Sequence, residues 1–69
     1  MTIKYTVVEN AGYEGERDIT SFTPTGSRRN VDALMMAERF IKRWYRAGEI
    51  ETLHVAIRKD TPDGGTYDY

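Results

Sequence analysis

The stretch NVDALMMAERFIKRWYRAG, Asn30 to Gly48, decides how this chain folds. At about 100° per residue, Ala33, Leu34, Ala37, Phe40, Ile41 and Trp44 fall on one side of a helix, with Tyr45 at its margin. Asn30 has the side chain of a good N-cap, and Gly48 tolerates the left-handed conformation that ends many helices. The spacing predicts a helix over Val31 to Ala47. One amphipathic helix needs an apolar surface to lie on, and the segments on either side supply it.

Upstream, IKYTVVE (3–9) alternates, with Ile3, Tyr5 and Val7 on one face and Lys4, Thr6 and Glu9 largely elsewhere, as in a half-buried strand. NAGYEG carries Gly12 and Gly15 and reads as a hairpin loop. RDITSFT (17–23) is β-branched and aromatic, a second strand. Ile19 and Phe22 fall on opposite faces of a regular strand, so a bulge or bend near Ser21 is expected. Pro24 ends that strand or sets it at an edge. Downstream, TLHVAIR (52–58) points Leu53, Val55 and Ile57 inward and His54, Ala56 and Arg58 outward. In the tail DTPDGGTYDY (60–69), Pro62 to Gly65 signals a turn, after which Thr66 to Tyr69 returns as a short fourth strand or frays. The fold class is α+β. It is a small antiparallel sheet of three strands, or four with the tail, packed on one face by one helix in the order β-β-α-β(-β), with the first strand central.

Sixty-nine residues make a single domain, 1–69, and a chain of this size buries only about 60% of its unfolded surface. Without cysteine there is no disulfide and no thiolate zinc site, and His54 is the sole histidine. No metal or other cofactor is expected. No run approaches a membrane span, and MTIKYTVVEN does not read as a signal peptide, so a cytoplasmic protein is expected. An apolar content of 39% is enough for a folded core.

Catalytic constellations are weak. A base such as His54 needs a positioned nucleophile, and neither Ser21 nor Ser27 sits in a nucleophile-elbow context. The carboxylate pairs Glu14/Glu16 and Asp60/Asp63 lie in expected loops, and GYEG and DGG lack the Lys-Ser or Lys-Thr of a phosphate loop. A non-enzymatic protein is expected.

Charge is more informative. Residues 28–46 hold six cations against Asp32 and Glu38, a local excess of four, although the whole chain is −1. Arg39, Lys42, Arg43 and Arg46 project away from the apolar stripe as like-charge neighbours, each pair costing an isolated helix roughly 0.2–0.5 kcal/mol. Such a face is explained by solvation alone, by an acidic protein surface as partner, or by a nucleic-acid backbone. The overall acidity counts against the last. Met35 and Met36 flank the apolar face, so at least one is partly exposed, and methionine suits both gap-filling and adaptable binding. Tyr67 and Tyr69 serve either as edge cover or as a recognition element.

The layout of VVEN, a glycine loop, a second strand, NVDALMMAERFIKRW and the closing LHVAI resembles that of small phage- and prophage-encoded proteins, among them host-takeover factors and anti-CRISPR inhibitors. The resemblance implies a stoichiometric inhibitor that covers a surface of a larger machine. The contact set expected from the charge pattern is Arg28, Arg29, Met36, Arg39, Lys42, Arg43 and Arg46, with an acidic protein partner. Nucleic-acid binding by the same face is the alternative. Self-association through the edge strand or the Phe40/Trp44 flank is a third, so the chain is expected as a monomer or homodimer.

Overall fold

The structure is a computed structural model that describes residues 3–25 and 29–67. Its centre is β1 (Lys4–Glu9), in which Tyr5, Thr6, Val7 and Val8 are all buried. The expected half-buried strand is thus covered on both faces. β2 (Arg17–Phe22), β3 (Ala56–Thr61) and β4 (Gly64–Tyr67) complete one antiparallel sheet in the order β2-β1-β3-β4. Thr6 stands opposite Ser21 on one side and Arg58 on the other. The tail does return as a fourth strand, and Thr61 Oγ1 donates to the Gly64 carbonyl at 2.7 Å across its turn. Asp68 and Tyr69 lie outside the described residues.

The irregularity in β2 falls two residues before Ser21. Val7 faces Thr20 and Val8 faces Asp18, so Ile19 is the extra residue of a bulge. The bulge resets the alternation, and both Ile19 and Phe22 pack against the core.

The helical segment differs more from expectation. α1 spans Asn30–Trp44 and is capped by Arg29, whose N–H donates to Asp32 Oδ2 at 3.3 Å; Asn30 is already helical. The helix stops three residues before Ala47. Tyr45 is extended (φ −125°, ψ 141°), and its hydroxyl donates to Glu9 Oε2 at 2.8 Å. That long-range bond holds the ring against the sheet and takes the backbone out of the helix. A second helix, α2 (Ala47–Thr52), starts at once, with the Arg46 N–H donating to Glu49 Oε1 at 3.0 Å. Gly48 is therefore inside α2 and not a helix stop. The last long strand starts at Ala56 instead of Thr52, because α2 and the turn at His54 (φ 50°) use the residues before it. Val55 and Ile57 still point inward, joined by Leu53 from the turn.

The core beneath α1 is Tyr5, Val7, Ala33, Ala37, Ile41, Val55 and Ile57. Ala33 and Ala37 let the helix axis come close to the sheet. Fully burying Val7, Ile41 and Ile57 contributes about 1.5–3 kcal/mol each. Among the described residues no helix is long and apolar enough to cross a membrane.

Candidate functional site

Two polar constellations stand out, one closed and one open. The closed one covers the sheet face away from α1, where Arg58 meets three carboxylates. Its Nε donates to Asp60 Oδ1 at 2.6 Å and its Nη1 to Glu16 Oε2 at 2.6 Å, and its Nη2 reaches Asp18 Oδ2 at 3.2 Å. The wholly buried Thr6 donates from Oγ1 to Asp60 Oδ2 at 2.8 Å, so it accepts from Ser21 Oγ at 3.0 Å. Glu16 also accepts from the Gly12 N–H at 2.9 Å and from the Tyr67 hydroxyl, which ties β4 to the β1–β2 loop.

These contacts fix the charges. The Tyr67 hydroxyl, the Gly12 N–H and Arg58 together hold the Glu16 carboxyl below its usual range. Arg58, and after it Thr6, does the same for Asp60. Hydrogen bonds to Asp60 and then Asp18 lead in raising the Arg58 pKa further. The outward residues expected to meet solvent are thus largely covered: Ala56 is buried and the Arg58 side chain is 19% exposed. With a guanidinium already filling the space between the carboxylates, this is an internal brace. Among the described residues no His, Asp and Glu group forms a metal-binding cluster. His54 sits in its turn with its ring 4.7 Å from that of Tyr13, and not on a strand.

The open constellation is the flank of α1 beside β2. Phe22, Met36, Arg39, Phe40, Arg43 and Trp44 line a shallow groove of about 310 Å³. The Phe40 ring lies 6.1 Å from Phe22, edge-on, and 6.1 Å from Trp44. The Arg43 guanidinium sits 5.7 Å from the centre of the Trp44 ring, within cation–π range. β2 is the last strand on this side, so among the described residues no further strand covers the groove, and Trp44 is 63% exposed.

The seven expected contact residues are divided by this geometry. Met36, Arg39 and Arg43 come together on the groove. Lys42 is exposed but roughly 100° further round the helix from Arg43, off the groove. Arg46 caps α2 and lines a separate shallow depression with Gly48, Glu49, Thr52 and Leu53. Arg29 caps α1, and Arg28 lies outside the described residues. Of the two helix methionines, Met35 is exposed at 44%, while Met36 is half-buried. Among the described residues, Arg29, Arg39, Lys42, Arg43 and Arg46 form no ion pair with the chain's own carboxylates.

Phe22, Phe40 and Trp44 complete the site and lie outside the charge-based contact set. Helical spacing puts Phe40 and Trp44 on the apolar stripe, and only the position of the sheet edge decides that Trp44 overhangs it. Compared with known proteins, the chain matches no family model, no curated protein sequence and no solved structure.

Proposed function

We propose that the chain is a small, non-enzymatic binding module that covers an acidic surface of a larger protein assembly, as stoichiometric inhibitors of the phage type do. One observation carries this: Arg39 and Arg43, one helical turn apart and without ion pairs among the described residues, rim an aromatic groove that leaves Trp44 largely exposed. Two like charges beside exposed apolar surface cost the isolated chain stability, and an anionic partner relieves both terms at once. Tryptophan and arginine are also the residue types most enriched at interface hot spots.

The test is charge reversal. Arg39→Glu with Arg43→Glu should weaken capture of the partner by at least tenfold while the circular dichroism spectrum is retained. Lys42→Glu, exposed but off the groove, should leave capture within about twofold. Equal loss from both variants means that general charge and not this site is responsible. Binding to generic duplex or single-stranded oligonucleotide that falls steeply with salt, about one unit of slope per phosphate contact, would replace the protein partner with nucleic acid.

A further inference from the structure

We infer that the segment taken up by this site is an extended acidic strand that pairs along the outer edge of β2 and seats one large apolar side chain in the groove. This rests on the binding-module reading above and adds the partner's conformation and residue pattern. β2 is a terminal strand, so among the described residues its outer backbone groups have no neighbouring strand. An open edge is a template for strand addition. The bulge at Ile19 disturbs the first half of that edge, which leaves Thr20, Ser21 and Phe22 as the regular stretch. Phe22, at the end of that stretch, is also the β2 residue that lines the groove. Edge and groove are therefore one continuous surface.

The geometry fixes a pattern. A strand added beyond β2 turns every second side chain toward the α1 side, and residues two apart on one face are separated by about 7 Å. Arg39 and Arg43 are four residues apart on the helix, a rise of about 6 Å. A central apolar residue in the groove puts the residues two before and two after it about 14 Å apart, one beyond each arginine, and the long arginine and glutamate side chains close the roughly 4 Å left at either end. Acidic residues at those places would pair with both arginines. The recognised pattern is acidic-x-apolar-x-acidic, which reads the same from either end, so it holds for parallel and antiparallel addition. Uptake of a helix by the same groove would need no β2 backbone and is the outcome that the test separates.

Trp44 is the sole tryptophan and lines the groove, so its emission reports occupancy directly. The probe is the blocked heptapeptide Thr-Glu-Thr-Leu-Thr-Glu-Thr, together with its Phe counterpart. At least one should give a saturable blue shift of Trp44 emission. The affinity should fall tenfold or more in the Arg39→Glu, Arg43→Glu variant and tenfold or more when alternate peptide nitrogens on the pairing edge are methylated. Three results overturn the inference: no shift from either peptide up to about 1 mM, equal binding of the Lys-for-Glu peptide, or equal binding of the N-methylated peptide. If the peptides fail while charge reversal still abolishes partner capture, strand addition falls and the binding module stands. If charge reversal also leaves capture intact, both fall.

Discussion

At Arg58 one guanidinium meets Glu16, Asp18 and Asp60, drawn from a loop, β2 and its own strand. Replacing it with Met keeps the stem but leaves three carboxylates without their cation, one of them the acceptor of the buried Thr6 hydroxyl. A loss of about 2–3 kcal/mol is expected in urea denaturation. The same cluster sets the acid limit. Glu16 and Asp60 have folded pKa values below their ordinary 4.5 and 3.8. Between folded and unfolded values the unfolded chain binds more protons, so stability is fully present above about pH 5 and is lost as pH falls through the lower, folded values. Denaturation midpoints at pH 6, 4 and 3 should show this decline, and Arg58→Met should flatten it. The alternation of TLHVAIR already puts Arg58 on the correct face. Its burial is not legible there, because Glu16 and Asp18 lie 42 and 40 residues away and nothing local marks them as its partners.

At the scale of elements, the break between α1 and α2 separates two accounts of Gly48 by sign. As a left-handed stop, Gly48→Ala would cost stability. Gly48 is instead inside α2, without a positive φ and with open space around its Cα, so alanine should stabilise by about 0.5–1 kcal/mol. Thermal unfolding would read that sign directly. Tyr45 marks the break. Burial and its bond to Glu9 push its hydroxyl up to about 12. Its contribution is present below the unfolded value near 10 and fades as pH rises toward 12, because only the folded state still holds the proton there. An ultraviolet titration should show a late-ionising tyrosine that disappears in Tyr45→Phe. The helix itself is legible from its spacing, and so are its apolar stripe and the strands around it. Its end is not, since the nearest glycine gives a local signal while the bond to Glu9 spans 36 residues.

Across the whole molecule, charge and apolar surface are sorted by face. Among the described residues the cations of α1 form no ion pair, while carboxylates of the loops and sheet close around Arg58 on the other face of the sheet. The basic residues of α1 were legible in the sequence because helical spacing places Arg39, Lys42 and Arg43 off the apolar stripe, whereas Arg46 lies beyond the end of that helix. Which of them share a surface with aromatics was not, because that depends on where the sheet ends. Trp44 and Ile41 make the distinction measurable. Trp44→Ala should change stability by less than about 1 kcal/mol, as expected for a mostly exposed ring. Ile41→Ala, at a fully buried site, should cost about 2–5 kcal/mol. The first should impair binding without unfolding, and the second should unfold in proportion to any binding it loses.

The strand order has a practical consequence for handling the molecule. β4 and β2 are opposite borders, three strand spacings or about 14 Å apart. The chain has no cysteine, so a single thiol introduced at Thr66 gives one attachment point for a dye or a sensor chip. Tethered there, the molecule presents the Phe22 border outward to solution. The same anchor placed at Thr20 would sit on the border that a fifth strand must occupy.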